Sequence, residues 1–366
     1  PYIRDLSNVV ILYGDVPLVS VSTIEKMIEA VKEGQMGLLT AEKHNPSGYG
    51  RIVSNEEGSI ESIVEHSDAT SNQLKITEVN TGVMAMNSLQ LKDWVPQIRN
   101  SNKKNEYYLT DIIEIARLNG CFIKRIQPNS NMEVEGINNR EQLSRLERSY
   151  QKYLANEFMS AGNSLADPDR FDQRGELKTG FDNYIDVNCI FEGEVQLGSN
   201  ISIGPNCHII NSIIDDYVVI KANSIVDSSR IKSGATVGPF ARLRPGTLIG
   251  EGSSVGNFVE IKKTTVGHGS KVNHLTYLGD STIGSCANIG AGAITCNYDG
   301  NEKHETTIGE NVFVGSNTTL VAPIALSDNS FVAAGSTVTT SVAEGQLAVG
   351  RAKQRNVTGW KPPKNS

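Results

Sequence analysis

An aliphatic residue returns every six positions from about residue 185 to about residue 338, and this period limits the folds open to the chain. A period of six fits neither the 3.6-residue turn of a helix nor the two-residue alternation of a simple strand. Short strands joined by tight turns do fit, if each aliphatic side chain stacks on its equivalent in the next coil. With three hexapeptides per coil, the repeat predicts a prism-shaped, left-handed parallel β-helix. Its clearest positions are Val237, Leu243, Ile249, Val255, Ile261, Ile308, Val314, Leu320, Leu326, Val332 and Val338.

Charge and cysteine content narrow the setting in which the protein works. A net charge of −7 disfavours nucleic acid as the main partner, although bulk charge does not forbid a local basic pocket. The five cysteines are odd in number and show no CxxC spacing, which indicates free thiols in a reducing compartment. No apolar stretch approaches the roughly 20 residues needed to cross a bilayer, and no signal peptide is recognisable. We therefore expect a cytoplasmic protein without a membrane partner.

Three segments differ in their hydrophobic pattern. Residues 1–140 alternate strand-like and helix-like stretches, as an α/β sheet requires. Residues 141–161 have apolar side chains at helical spacing with charges between them, which predicts a linker helix. Residues 162–366 hold the hexapeptide repeat.

The apolar run Val9–Tyr13 ends abruptly at Gly14-Asp15. A continuous apolar run is typical of a buried parallel strand. In open α/β sheets, ligands bind beyond the carboxyl ends of such strands. Asp15 is therefore a candidate oxygen ligand for a divalent cation. The same residue could instead cap a helix that begins near Ser22, and both interpretations stay open.

The order of GDVPL, GYGRI, IVEH, NTG, EYYLTD and VEGINNR in the first segment resembles part of a known enzyme domain. It is similar to the later two-thirds of the Rossmann-like uridylyltransferase domain of bifunctional GlmU-type enzymes. The resemblance implies magnesium-dependent uridylyl transfer from UTP to N-acetylglucosamine 1-phosphate. The residues it implies are Tyr13, Gly14 and Asp15 for the nucleotide sugar, Gly50, Glu65 and Asn80 for the N-acetylglucosamine moiety, and Asp15 with Asn138 for Mg²⁺.

One part of that family's pattern does not occur in this sequence. The glycine-rich LxAGxGTRM loop, which supplies phosphate-binding groups, is absent, and the chain opens with Pro1 close to its first strand. We expect an N-terminally truncated polypeptide that retains acetyl transfer and does not transfer a uridylyl group. Release of pyrophosphate from UTP in the presence of Mg²⁺ tests this expectation.

Basic and polar side chains interrupt the repeat in consecutive coils of an otherwise acidic protein. Arginine pairs are suited to phosphate, and a histidine near them is a candidate base, although a lone histidine is more often structural. The hexapeptide count breaks between Ile294 and Ile308, so a loop around residues 297–305 is expected to leave the prism. The interrupting residues are Arg242 and Arg244, then Lys262 and Lys263, then His274 and Tyr277.

The strings RLRPG, EIKK, NHLTYLGD, NIGAG, TCNYDG and AVGRAKQ resemble the acetyltransferase domain of the same GlmU-type enzymes. The resemblance implies acetyl transfer from acetyl-CoA to glucosamine 1-phosphate, a step of UDP-N-acetylglucosamine synthesis for peptidoglycan and lipopolysaccharide. It also implies a homotrimer with active sites between subunits and direct attack by the amine, with His274 as general base. Either a backbone donor or an amide such as that of Asn297 would steady the oxyanion. The other implied residues are Arg244, Lys262, Tyr277, Asn288 and Lys303 for the sugar phosphate, with Lys303 reaching a neighbouring subunit, and Ala291, Asn297, Tyr298, Ser316, Ala334 and Arg351 for acetyl-CoA.

Two rival hypotheses remain at the sequence level. A β-helix zinc enzyme of the carbonic-anhydrase type needs three histidines that meet at a subunit interface. His268 and His274 are one hexapeptide apart, but no third histidine has matching spacing. A non-catalytic β-helix scaffold is the other alternative, since a fold alone does not assign a function.

Overall fold

The computed structural model describes residues 3–361, which form two compact units divided after Tyr150. A long helix, Arg140–Ser160, runs through the boundary between them. Among the described residues no helix is both long and apolar enough to cross a membrane.

The first unit is a six-stranded, mostly antiparallel sheet with helices packed against it. Its strand order is β4-β3-β5-β2-β6, and β1 pairs with β5. Short 3₁₀ turns lie at Gln73–Lys75, Val95–Gln97, Leu109–Asp111 and Asn131–Val134. The elements are β1 Asn8–Ile11, α1 Val21–Lys32, β2 Met36–Glu42, β3 Arg51–Ser54, β4 Ile60–Val64, β5 Glu78–Asn87, α2 Ser88–Trp94, α3 Ile112–Leu118, β6 Ile123–Ile126 and α4 Arg140–Ser160.

The sequence prediction for the first strand was wrong in two respects. The strand β1 is antiparallel to β5, not part of a parallel pair. It is also only half-buried, and Leu12 and Tyr13 beyond it are exposed. Its single partner among the described residues is β5, so its other edge lacks a neighbour that would bury it.

The second unit is a parallel β-helix, which confirms the fold predicted from the repeat. Its strands form two parallel sheets of 15 and 11 strands. A 3₁₀ turn, Pro168–Arg170, joins its first two strands. The strands are β7 Ser164–Leu165, β8 Phe171–Thr179, β9 Tyr184–Ile185, β10 Cys189–Leu197, β11 Ser202–Ile203, β12 His208–Ile210, β13 Ile213–Ile214, β14 Val219–Ile220, β15 Ile225–Asp227, β16 Arg230–Ile231, β17 Thr236–Val237, β18 Arg242–Leu243, β19 Leu248–Ile249, β20 Ser254–Asn257, β21 Glu260–Val266, β22 Lys271–His274, β23 Tyr277–Ile283, β24 Asn288–Ile289, β25 Ile294–Cys296, β26 Thr306–Ile308, β27 Phe313–Val314, β28 Thr319–Val321, β29 Ile324–Leu326, β30 Phe331–Val332, β31 Thr337–Val338 and β32 Leu347–Ala348.

The hexapeptide aliphatic residues are the core of this prism. Leu243, Ile261 and Leu278 lie in register on consecutive coils and are almost completely buried. Removing one such side chain from water stabilises the fold by about 1.5–3 kcal/mol. At one end, Phe158 of α4 packs against Phe171, and Phe171 against Phe191, with ring centroids 5.4 and 5.5 Å apart. The prism therefore has a single continuous apolar core.

The corners of the prism need residues that tolerate a left-handed backbone. Asn188, Asn206 and Asn223 occupy one corner on consecutive coils with φ values of 59°, 59° and 59°. Their side chains bond to one another, with Nδ2–Oδ1 distances of 3.0 and 3.2 Å. Asparagine is one of the few residues that adopt this conformation readily. The ladder explains why the repeat can turn without glycine at every corner.

Candidate functional site

A cavity of about 460 Å³ in the α/β unit gathers most of the residues predicted for nucleotide-sugar binding. Gly14 is not among its lining residues. Those of the predicted set that line it are Tyr13, Asp15, Gly50, Glu65, Asn80 and Asn138.

Local backbone contacts explain why Asp15 and Asn138 face the same cavity. Ser20 caps α1 by accepting a hydrogen bond from the Thr23 N–H, so Asp15 does not serve as the cap. The Ile137 N–H donates to the Asp15 carbonyl oxygen at 2.9 Å, which fixes the chain that carries Asn138 against Asp15. The cap hypothesis for Asp15 was wrong, and its carboxylate lines the cavity.

Two contacts in this cavity were not singled out from the sequence. A Cβ at Gly82, where φ is +84°, would lie 2.2 Å from the Tyr13 ring, so the ring rests directly on the glycine backbone. Thr110 donates its hydroxyl to Glu65 Oε1 at 3.1 Å. Burial, together with the carboxylates of Glu65 and Asp15, raises the pKa of Tyr13, which keeps its hydroxyl a hydrogen-bond donor.

A cationic cluster lies on the 15-stranded sheet of the prism. The pKa of Lys262 is lowered, chiefly by its contact with the Lys303 side chain and further by Arg244. Arg244 also forms an ion pair with Glu260, with Nη1 and Oε1 2.8 Å apart. Three cations of one chain therefore meet here, and Lys303 lies beside Lys262 of its own chain. An anionic group is the natural ligand for such a cluster.

Gly279 creates a slot beside this cluster. It pairs with Lys262 of the preceding coil. A Cβ at Gly279 would lie 2.5 Å from the Tyr277 hydroxyl and 2.8 Å from Asn297 Nδ2. The Asn297 amide in turn donates to Asp280 Oδ2 at 2.5 Å. The slot thus brings together Tyr277, which is predicted to bind the sugar phosphate, and Asn297, which is predicted to bind acetyl-CoA.

His274 and several residues predicted for acetyl-CoA form one column along a prism corner. The registers of β22, β24, β27 and β30 place His274, Ala291, Ser316 and Ala334 at equivalent positions of consecutive coils. Hydrogen bonds to the carbonyls of His274, Ala291 and Ser316, at 3.1, 2.8 and 2.8 Å, connect these coils. Arg351 donates from Nη1 to the Ala334 carbonyl at 2.7 Å. Tyr277 begins the next strand, three residues beyond His274 and around the corner.

The predicted loop leaves the prism between Cys296 and Thr306. Asp299 holds it together by accepting from the N–H groups of Asn301 and Glu302 at 2.8 and 2.7 Å. His304 Nε2 lies 2.6 Å from the Asp299 carboxylate, and this contact is the main reason that the pKa of Asp299 is lowered. The exposed ring of Tyr298 stands on the same loop, and its hydroxyl donates to the Gly300 carbonyl at 2.7 Å.

Asn288 is the predicted sugar-phosphate residue that the chain does not bring to the cationic cluster. It lies in β24 of the 11-stranded sheet, between Lys271 and Phe313 in register. Lys262 and Tyr277 instead belong to the 15-stranded sheet, and Arg244 directly follows its strand β18. No sequence pattern singles out Asn257, Glu260 or Asp280. Their hydrogen-bond partners lie on neighbouring coils, so only the register between coils would have revealed them.

No group of three or more His, Cys, Asp or Glu side chains within residues 3–361 is arranged to hold a metal ion. The cysteines Cys121, Cys189, Cys207, Cys286 and Cys296 all have free thiols.

Comparison with known proteins adds to this geometry. The family profile described as "Hexapeptide repeat of succinyl-transferase" matches residues 305–340. The "Bifunctional protein GlmU" of Marinobacter nauticus is 51% identical over 366 residues, covering 100% of this chain and 81% of that protein. The protein of the same name from Idiomarina loihiensis is 52% identical over 365 residues and is covered to 80%. Among solved structures, LpxA from Acinetobacter baumannii is 18% identical, with a TM-score of 0.32 over 46% of this chain and 69% of that chain.

Proposed function

The chain belongs to the family of bifunctional GlmU proteins, which are acetyltransferases and uridylyltransferases, and we propose that its prism acetylates the amine of glucosamine 1-phosphate with acetyl-CoA. One observation carries this proposal. The column of His274, Ala291, Ser316 and Ala334 follows the same corner around which Tyr277 and the cationic cluster lie. A base, an acyl-CoA track and an anion site are the three features that the reaction requires.

The cationic cluster would hold the substrate phosphate. Arg244 presents a planar fork to phosphate oxygens, while Lys262 and Lys303 act as point charges. A phosphate would relieve the repulsion that lowers the pKa of Lys262. The Tyr277 hydroxyl would orient the sugar, which leaves the amine facing the corner.

His274 would act as the general base. Its imidazole takes the proton from the substrate ammonium, and the neutral amine attacks the thioester carbonyl carbon. The C–N bond forms and the C–S bond breaks, so the CoA thiolate leaves and is protonated by the imidazolium. The attacking nitrogen loses its second proton to solvent as the neutral amide forms, so the reaction releases one proton overall. The Asn297 amide has two N–H groups, of which one donates to Asp280, so the second is available to the oxyanion.

We also propose that three prisms pack in parallel as a homotrimer. The support is that Asn288 lies on a different sheet from Lys262, so an adjacent prism would bring the two together. Two exposed, stacked pairs, Phe240 with Phe258 at 5.2 Å and Phe313 with Phe331 at 4.5 Å, offer apolar surface for such an interface. Free thiols throughout the chain support a cytoplasmic location.

The cavity of the α/β unit is proposed as the nucleotide-sugar site. Asp15 and Asn138 fit a Mg²⁺ ion, because carboxylate and amide oxygens are hard ligands and both line one cavity. When bound, Mg²⁺ neutralises phosphate charge. Glu65, held by Thr110, and Asn80 would bind hydroxyl and amide groups of the sugar.

A thiol-release assay with acetyl-CoA, run with and without glucosamine 1-phosphate, tests the proposed acetyl transfer. We expect saturable thiol release that depends on glucosamine 1-phosphate. His274→Ala is expected to lower kcat by about 10² or more, the usual scale for a general base, with little change in CoA binding. Equal losses in kcat and CoA binding would make His274 structural. Stoichiometric zinc in the purified protein would instead favour the carbonic-anhydrase type.

A further inference from the structure

The ring of His274 has a single side-chain hydrogen-bond partner within the described part of the chain, and that partner lies on the preceding coil. Asn257 ends β20 as His274 ends β22, and the register pairs the two residues. Asn257 Oδ1 lies 2.8 Å from His274 Nδ1. The contact therefore follows from the register between two paired strands of the prism.

Gly256 allows the two coils to approach closely at this point. A Cβ at position 256 would lie 2.0 Å from the Asn273 carbonyl oxygen, so no other residue fits without moving the backbone. Asn273 is in addition held by the Ser254 hydroxyl, which donates to its Oδ1 at 2.7 Å. Both neighbours of the Asn257–His274 pair are thus fixed.

The chemistry of the amide determines which imidazole nitrogen carries the proton. A carboxamide oxygen is only an acceptor, so Nδ1 must be the donor in this contact. In the neutral ring the lone pair is then on Nε2. A free imidazole has no such preference imposed on it, and a ring that rotates freely would present either nitrogen to the substrate.

The partner is also uncharged. The strands paired on either side of β22 are Ser254–Asn257 and Asn288–Ile289, and neither has an ionisable side chain. Lys271 is the ionisable residue of the histidine's own strand. An amide fixes the ring without the stabilisation of the imidazolium that a carboxylate would add, and a base must be neutral before it can accept a proton.

From these observations we propose that Asn257 is a positioning residue for acetyl transfer, which holds His274 as the Nδ1-protonated tautomer with Nε2 as the base. The inference rests on the proposed function of His274. Asn257 touches neither substrate in this arrangement, so its effect belongs in kcat and in the pH profile, not in substrate affinity.

Two variants of the full chain test the proposal. In Asn257→Ala the ring loses its partner, and we expect kcat to fall roughly 10- to 100-fold, below the full contribution of a general base, with unchanged KM values for both substrates. In Asn257→Asp the hydrogen bond is kept but becomes charged. A carboxylate raises the pKa of an adjacent imidazole, so the acidic limb of the kcat profile should move up by roughly one pH unit, with activity recovered at higher pH.

The matched control is another histidine of the same prism. His208 Nε2 lies 3.1 Å from Glu192 Oε2, far from the candidate site, and Glu192→Ala should leave kcat and the pH profile unchanged. Nitrogen NMR of the unaltered protein gives a readout independent of turnover, since protonated and unprotonated ring nitrogens have distinct shifts. We expect His274 to be protonated at Nδ1 near neutral pH.

The outcomes separate the two levels of inference. If the unaltered chain releases no thiol, the proposed function fails. A second case is that the unaltered chain is active and His274→Ala is impaired. If Asn257→Ala then matches the unaltered chain in kcat, and Asn257→Asp does not shift the pH profile, only the positioning role is overturned. An Nε2-protonated ring in the NMR spectrum would overturn it as well.

Discussion

Gly279→Ala adds one methyl group to the slot between Tyr277 and Asn297, which are proposed to bind the sugar phosphate and acetyl-CoA respectively. The added Cβ would lie 2.5 Å from the Tyr277 hydroxyl and 2.8 Å from Asn297 Nδ2, whereas ordinary contacts begin near 3.4 Å. The backbone has little freedom to retreat, because the Gly279 N–H donates to Thr295 Oγ1 at 2.8 Å. Asn297 is held by Asp280, so the Tyr277 hydroxyl is the group that has to move, by roughly 1 Å.

A displacement of that size at a substrate-positioning group can lower turnover about 10²-fold. We therefore expect kcat/KM for glucosamine 1-phosphate to fall by about that factor, measured by thiol release at saturating acetyl-CoA. The overall fold should lose only the roughly 1–3 kcal/mol typical of overpacking, measured by urea denaturation.

Gly250→Ala is the matched control. Its Cβ would lie 2.6 Å from the Val266 carbonyl oxygen, so it also strains the prism, but no predicted site residue is among its nearest atoms. It should lower the free energy of unfolding with kcat/KM unchanged. If Gly279→Ala kept kcat/KM within twofold of the unaltered chain, or if both variants lost activity in proportion to their stability, the slot would have no role in positioning.

The loop and the cationic cluster give two further predictions. The pKa of Asp299 is lowered by His304 and by backbone N–H groups, so its hold on the loop is present at neutral pH and is lost as pH falls below the ordinary aspartate range. Asp299→Asn should accordingly speed hydrogen exchange of the Asn301 and Glu302 amides at pH 7, and unchanged protection would contradict this. Lys303→Ala should raise the pKa of Lys262 towards its ordinary value, followed by NMR titration of the lysine side chain, and an unmoved titration would show that the two ammonium groups are not in contact.

The prism could be predicted from the sequence because the repeat records one physical requirement, an inward aliphatic residue at each face. Val255 and Ile261 satisfy it and are completely buried. The loop at residues 297–305 was also predictable, since a break in the count can only be placed outside the prism. Side-chain partners on neighbouring coils were harder to predict from the sequence. Asn257 and His274 are adjacent only because of the register between β20 and β22. The hexapeptide period alone does not predict that register.

The α/β unit was predicted less well for a related reason. The strand at Asn8–Ile11 has the apolar composition of a buried parallel strand, yet it pairs antiparallel with β5 and stays half-exposed. Composition reports how apolar a strand is, but direction and burial depend on which neighbours pack against it. The cavity nevertheless brings together six of the seven residues predicted for the nucleotide sugar, and Gly50 and Glu65 among them lie just outside the ends of strands.

The corner that carries His274 departs from the asparagine ladder at three consecutive coils. After Asn223 the left-handed position is taken by Phe240, Phe258 and Leu275, with φ values of 55°, 56° and 51°. A left-handed backbone costs a bulky residue about 1–2 kcal/mol, which asparagine or glycine would largely avoid. All three side chains are also exposed, so burial within this chain does not offset that cost. Such residues are expected where a surface is used, and Phe258 and Leu275 directly follow Asn257 and His274 in the chain. At this corner, therefore, asparagine gives way to residues that the turn itself disfavours on the same coils that carry Asn257 and His274.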